Sequence, residues 1–354
     1  MEIREATPGD AFINKKYLDK SCSFSYNIGS PVFRYHTVQG VFSMLSSIIS
    51  RIIIWFLSFA LLLLLLLVPM DTVFVEGRGG SFMGATYDYQ VARHVENIKT
   101  FFTYIRETGG LGTDEAGDPI MAKILTVFLR SLLIFLPAIV IGFFLGITKG
   151  IFDFKNRKSK RKLLGQPVTI GLLSIPDIVI IVSIQLAVIF LYRHGLVDIS
   201  LYGHDRLENV LMNILYLSIY PVMFISNITY KTLEAEQGLD YVRTARSKGT
   251  GELKVLYIHM LKNGMPKILS HSNTMVLYTL SNLFIVEVFT EYRGAAFYMY
   301  HTLGSATEFY VGALFTPDTI AQIGYVFLFT LVILFFNIVS GVARAKVTLR
   351  EGSR

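Results

Sequence analysis

Tyr241-Val242-Arg243-Thr244-Ala245-Arg246-Ser247-Lys248-Gly249 is a basic, small-residue stretch held between two long apolar runs, residues 208–228 and 268–289. A helix needs roughly 20 apolar residues to cross a hydrocarbon layer, and both runs reach that length. So do 48–68, 124–148, 167–191 and 319–342. The chain therefore reads as an all-α, polytopic membrane protein with six transmembrane helices. The quoted stretch then falls in the loop between the fourth and the fifth.

Composition agrees with this reading. Apolar residues are 52% of the 354 and charged residues 17%, against about 25% charged in a soluble domain. Arg130 lies about two turns inside the second segment, and Asp177 sits near the middle of the third, so each of these spans carries a polar residue to be explained. The first apolar run has no small-residue cleavage site after its leucine-rich centre and is expected to be retained as a span. The lone cysteine, Cys22, rules out an internal disulfide and a cysteine metal cluster.

Loop cations set the expected orientation, because Lys and Arg accumulate on the cytoplasmic side. Placing the N-terminus inside puts 22 of them in inside segments and 7 in outside segments. Both termini are thus expected in the cytoplasm of a multi-pass cell-membrane (inner or plasma membrane) protein. The net charge of +7 follows from this sidedness and from attraction to anionic lipid headgroups. No basic patch is interleaved with stacking aromatics, which excludes a nucleic-acid partner.

Three regions follow: a cytoplasmic N-terminal segment 1–47, a transmembrane region 48–342, and a cytoplasmic tail 343–354. Residues 1–47 carry turn signals at Pro8-Gly9 and Gly29-Ser30-Pro31 and show no sustained helical period. The outer segment 69–122 is glycine-rich at both ends (Gly77, Gly79, Gly80; Gly109, Gly110, Gly112). Its middle repeats Val91, Val95, Ile98, Phe101, Phe102 and Ile105 at helical spacing, a pattern for a helix lying on the membrane or on a partner. The basic run Lys155 to Lys162 reads as a topology anchor.

The inside loop 229–267 divides into two helices. Leu239, Val242 and Ala245 share one face of the first, and Gly249 offers the left-handed position that ends it. The second starts at Glu252 with Leu253, Leu256, Tyr257, Met260 and Leu261 at i, i+3, i+4, i+7 and i+8, and Pro266 closes it. Two roles fit this periodicity. One is a rigid knob presented to a cytoplasmic partner; the other is a basic amphipathic helix resting on lipid headgroups.

The fifth segment is unusually polar. Ser270, Asn273, Thr274, Ser281, Asn282 and Glu287 are candidate lining residues of a hydrated path, while small hydroxyl and amide side chains also serve helix packing in membranes. Asp177 and Glu287 are expected to face protein or water. There is no Gly-x-x-x-x-Gly-Lys-Ser/Thr phosphate loop, no Gly-x-Ser-x-Gly arrangement, and no metal spacing among the seven histidines. No catalytic or metal residue is assigned.

Tyr241 to Gly249, followed by His259, Lys262-Asn263 and Pro266, resembles the cytoplasmic "EAA" loop of permease subunits of binding-protein-dependent ABC importers, in the wording of the dipeptide/oligopeptide/nickel group. Ser174-Ile175-Pro176, Val286-Glu287-Val288-Phe289 with Gly294, and Asn337 to Val342 are similar to further stretches of that family, so the resemblance covers about 124–345. The chain departs from it in lacking a proline just before Gly294 and in the start of the outer loop. The resemblance implies a type I-like permease core in which Tyr241, Arg243, Thr244, Ala245, Arg246, Ser247, Lys248 and Gly249 form a helix-turn-helix loop coupling to ATPases. It implies a second homologous permease, two cytoplasmic ABC ATPases that bind the ATP and Mg, an extracytoplasmic binding protein, and no cofactor in this chain. The cargo it implies is di- or oligopeptides, with nickel, a metal chelate or another small solute as alternatives. A stand-alone secondary transporter is the reading from a different class.

The expected orientation has a direct test. In a Cys22→Ser background, an impermeant thiol reagent added outside should modify Ser200→Cys and leave Ser159→Cys untouched; the opposite labelling would invert the topology.

Overall fold

The computed structural model describes residues 31–69, 72–76, 82–87, 89–114, 116–159, 163–303 and 318–352. Pro8-Gly9, Cys22, Gly77, Gly79, Gly80 and Lys160 to Lys162 lie outside the described residues. The chain divides into two units, 1–46 and 47–354. Of the first, residues 31–46 are described, and they are helical. This corrects the expectation of a lead-in without helix: Pro31 is the first residue of helix α1 (Pro31–Leu66), a position where a missing N–H is harmless.

The second unit is helical apart from a two-stranded antiparallel hairpin, β1 (Thr72–Glu76) and β2 (Phe82–Tyr87), with a register shift at Val75/Glu76. It follows α1 and was not foreseen, although Thr72, Val73 and Val75 are β-branched strand formers. The helix foreseen from Val91 to Ile105 is present as α2 (Val91–Thr108), ended by Gly109 at φ 67°.

Two long helices form the frame. α3 (Ile120–Asn156) and α6 (Leu207–Glu236) pack along their length. They meet through a stripe of glycines: Gly142, Gly146 and Gly150 face Pro221, Ile225 and Thr229 in matching i, i+4, i+8 register. A Cβ on Gly146 would fall 2.7 Å from that of Ile225, and one on Gly150 2.7 Å from the Ser226 carbonyl. With no hydrophobic drive between helices in lipid, small residues that let backbones approach supply the packing.

The third apolar segment is not one straight span. It is split into α4 (Gln166–Ser174) and α5 (Asp177–Arg193), bent by 102°. Pro176 is the cause: a residue before proline is pushed out of helical geometry, and Ile175 is extended at φ −89°, ψ 132°. Asp177 therefore stands in the first turn of α5, not in the middle of a helix.

Beyond α6 come α7 (Asp240–Ser247), the short α8 (Glu252–Lys254), a π-helical segment (Val255–Leu261), α9 (Lys262–Ser270), α10 (Ser272–Phe289), α11 (Ala295–His301) and α12 (Thr319–Gly352). Pro266 does not close the helix as expected; it lies inside α9, since proline is tolerated where surrounding helices re-satisfy the backbone. The turn after α3 is also shorter than expected, because α3 stays helical to Asn156.

By length and composition, Leu45–Leu66, Ile120–Asn156, Leu207–Glu236 and Thr319–Ala343 can cross a membrane, and the bent α4–α5 pair makes a fifth if counted as one span. The polar α10 is not among them. It lies in the middle of the bundle instead, touching α3, α6, α11 and α12, with Met275, Val276, Leu283 and Val286 in the main core. On the outside of the bundle, α1 meets α12 through Trp55, Phe59 and Phe327. Arg51 reaches the Asn337 carbonyl at 2.5 Å.

The glycine stripe yields the first stability prediction. Gly150→Val should lower the thermal unfolding temperature of the detergent-solubilised chain sharply, by overpacking worth about 1–3 kcal/mol or more. Gly171→Ala, with nothing within 4 Å of the added Cβ, should leave it unchanged.

Candidate functional site

α7 is short and amphipathic. Val242 and Ala245 are buried, while Arg243, Thr244, Ser247, Lys248 and Gly249 are exposed and Arg246 is half-buried. Leu239 departs from the expected face: it is the exposed residue preceding α7, not part of its packed side. Thr244 and Ser247 turn their hydroxyls back onto the Asp240 and Arg243 carbonyls, at 2.9 and 3.0 Å.

The turn after α7 is tightly built. Gly249 has φ 77°, and its N–H reaches the Arg246 carbonyl at 2.9 Å while the Thr250 N–H reaches that of Ala245 at 3.2 Å. These are the two bonds of a Schellman motif, whose left-handed position glycine fills without strain. Arg246 then bridges the turn to Glu252, with nitrogen to oxygen distances of 2.9 and 3.2 Å. Tyr241 donates to Glu236 at the end of α6. Burial, and then that carboxylate, push the Tyr241 hydroxyl up to about 12, so it remains a donor throughout the ordinary pH range.

The second helix of the loop departs from the expected i, i+3, i+4 face. Val255, Leu256 and Met260 are buried, whereas Leu253 and Tyr257 are exposed. The π segment explains this, since its i→i+5 winding puts Val255 and Met260 on one side. Together with Val242 and Ala245 these side chains form a separate small core with Ile151 and Phe154 of α3 and Leu233 of α6. Gly264 brings α9 against Thr232 of α6. The basic turn is thereby fused to the same ends of the two frame helices.

One turn away is a network that the sequence reading did not single out. Asp153, fully buried, pairs with Lys149 at 2.9 Å and accepts from Thr169 of α4 at 2.7 Å and Ser226 of α6 at 3.1 Å. Gln166 adds a bond from α4 to Asn227 of α6 at 2.8 Å, and Arg157, just past α3, donates to Gln237, just past α6, at 2.5 Å. The i, i+4 pair Lys149 and Asp153 next to an apolar run was the available signal. The span expected to end at 148 left both residues outside it, whereas α3 stays helical to Asn156.

The candidate lining residues separate into two groups. Thr274 and Ser281 are exposed on α10, and Ser270 and Asn273 are half-buried. Asn282 and Glu287 are buried, Glu287 completely. Glu287 thus departs from the lining expectation and holds backbone instead. It accepts from Ser131 of α3 at 2.5 Å and from the Phe297 N–H of α11 at 3.0 Å, and Ser131 in turn accepts the Ala295 N–H at 2.7 Å. A Cβ on Gly294 would collide with the Glu287 carboxylate. Arg130 binds the Arg293 carbonyl at 2.7 Å, which accounts for a cation inside the second span. The same turn holds Glu291 at φ 51°, an uncommon conformation for a non-glycine residue. Among the described residues no group of three or more metal-ligating side chains occurs.

Residues 138–348 match the profile of the family described as binding-protein-dependent transport system inner membrane component. The chain belongs to that family. It is accordingly a transport component rather than an enzyme, and a multi-pass membrane protein. This transport component is similar to the dipeptide transport system permease protein DppB of Escherichia coli (strain K12), 25% identical over 104 residues, which cover 28% of this chain and 31% of that protein. The protein of the same name from Bacillus subtilis (strain 168) is 28% identical over 71 residues, covering 20% and 23%. Each match spans less than a third of the relative's length.

The buried network gives a second stability prediction. Asp153→Ala strands Lys149, and breaking a buried ion pair costs about 3–5 kcal/mol; thermal unfolding should show a large loss. Arg243→Ala, whose partner Asp240 is exposed like itself, should shift it little, since exposed pairs are worth about 0–1 kcal/mol.

Proposed function

We propose that this chain is one of two translocation subunits of an ATP-driven importer, with residues 240–249 as the element that engages an ATPase. The observation that carries the reading is the construction of that element. Its apolar side is packed into the ends of α3 and α6, its turn is closed by two backbone bonds and the Arg246–Glu252 bridge, and Arg243, Ser247 and Lys248 remain outward. A displacement of such a knob moves the frame helices with it, and through Asp153 it moves α4. Alternating access by rigid-body motion of packed helices needs a link of this kind.

On this reading both termini are cytoplasmic. The partners are a second homologous permease, two cytoplasmic ATPases that hold ATP and Mg, and a binding protein outside. Similarity to the dipeptide permeases favours di- or oligopeptide cargo. The exposed Thr274 and Ser281 on α10 support a polar path alongside that helix. A helix presenting hydroxyls to lipid gains nothing, and one presenting them to hydrated cargo gains hydrogen bonds.

The test uses the assembled importer in proteoliposomes. Arg243→Glu with Arg246→Glu should insert normally yet uncouple ATP hydrolysis from uptake, with uptake falling at least about tenfold, since charge-assisted contacts become repulsions. Ser247→Cys should crosslink to an ATPase subunit. Normal uptake by the double variant together with no crosslink would make the loop a lipid-surface element and sink the reading.

A further inference from the structure

The end of α3, one face of α4 and the last turns of α6 surround an open cavity of about 590 Å³, with Arg157, Gln166, Pro167, Ile170, Gly171 and Tyr230 in its wall. One water needs only roughly 10–15 Å³, so the space suits a larger group. At Gly171 the room is plain, since a Cβ added there meets nothing within 4 Å.

The surroundings of this cavity favour an anion. Arg157 stacks on Phe154, its Cζ 3.7 Å from the ring centroid, and its terminal nitrogens donate to neutral oxygens, the Phe154 carbonyl at 2.7 Å and the Gln237 amide at 2.5 Å. Among the described residues it forms no ion pair. Residues 158–162, which join Arg157 to the wall residue Leu163, read Lys-Ser-Lys-Arg-Lys. Gln166 and Pro167 open α4, and the N-terminus of a helix attracts negative charge. The carboxylate in the wall, Asp153, is already paired with Lys149 and bonded by Thr169 and Ser226. Glu234, 3.4 Å from the Tyr230 hydroxyl, is exposed.

Two further features narrow the ligand. Gln166 donates its Nε2 to Asn227 at 2.8 Å, whereas its buried Oε1 has no donor, an arrangement that calls for one. Leu163 and Ile170, also in the wall, are exposed apolar side chains. We propose that the cavity holds an anionic phospholipid whose headgroup carries hydroxyls, as in phosphatidylglycerol. The phosphate lies against Arg157, whose forked donors match its oxygens; a headgroup hydroxyl donates to Gln166, and the acyl chains run over Leu163 and Ile170. Basic pockets between membrane helices suit such headgroups. Phe154, under Arg157, and Tyr230 have rings 6.3 Å apart and also pack in the small core behind residues 240–249. A bound headgroup therefore braces the end of the frame to which the basic turn is fused.

The test uses the full chain, stripped of lipid in neutral detergent, with native mass spectrometry reading which added lipid it retains. Phosphatidylglycerol should be kept about tenfold more than phosphatidylcholine, and several-fold more than phosphatidylmethanol, which has the charge without the hydroxyls. Gly171→Leu fills the space and Arg157→Gln removes the charge; each should bring the first ratio close to unity. Thermal unfolding without lipid identifies a variant that fails to fold, and the other then carries the test. Equal retention of phosphatidylglycerol and either comparison lipid by wild type would overturn the site. So would a preference that survives in a folded variant, which would assign the lipid to the exposed Lys155 and Lys158. Displacement of the lipid by glycerol 3-phosphate would make the ligand a soluble anion and sink the proposal. Phosphatidylglycerol held by the lone chain but lost from an assembled permease pair would give the cavity to a partner subunit, with the same result.

Discussion

The close approach of α3 and α6 is the contact on which the other elements depend. Gly142, Gly146 and Gly150 bring α3 against Pro221, Ile225 and Thr229 with no side chain between the backbones on the α3 side. In a bilayer, where lipid tails solvate leucine as well as protein does, such contact is a main source of specific helix pairing. The pair then provides fixed walls at both ends. Ser131 and Arg130 on α3 receive the α10–α11 turn at one end, and Ile151, Phe154 and Leu233 receive the basic loop at the other.

Around this frame the remaining helices are interrupted, and each interruption has an identifiable cause. Pro176 separates α4 from α5; a π segment and then His271 precede α10. Broken helices at membrane depth are acceptable only where protein or water satisfies the freed backbone and polar groups. Here the α9–α10 break lies by an aromatic row, with His271 6.3 Å from Phe224. By contrast α1 is unbroken, with most of its described apolar side chains open.

The charged groups divide by burial into two kinds. Asp153 and Glu287 are enclosed and fully hydrogen-bonded, and each ties together elements that are distant in sequence. In the interior, removing one partner of such a set leaves an uncompensated polar group, so these links act as joints rather than loose contacts. Arg243 and Lys248 are exposed, and the one ion pair between them and the fold, Arg243 with Asp240, is exposed too, so they contribute little to its stability. Links between helices and the exposed loop surface are thus built from opposite choices about water.

Much of this was legible in the sequence because it is local. Four of the six apolar runs give spanning helices by length alone, Gly249 announced a left-handed turn, and Val91 to Ile105 announced a helix. The buried set Val242 and Ala245 followed from helical period. The tertiary structure decided whatever depends on a partner far along the chain. Nothing near Glu287 shows that it accepts from Ser131 and Phe297 instead of lining a path, and nothing near Asp153 points to Thr169 or Ser226. Winding was equally hidden: a π turn moves Val255 inward and Leu253 and Tyr257 outward although the residues suit an ordinary helix. Period reads only the geometry it assumes, whereas burial and pairing are set when α3, α6 and α10 close on one another.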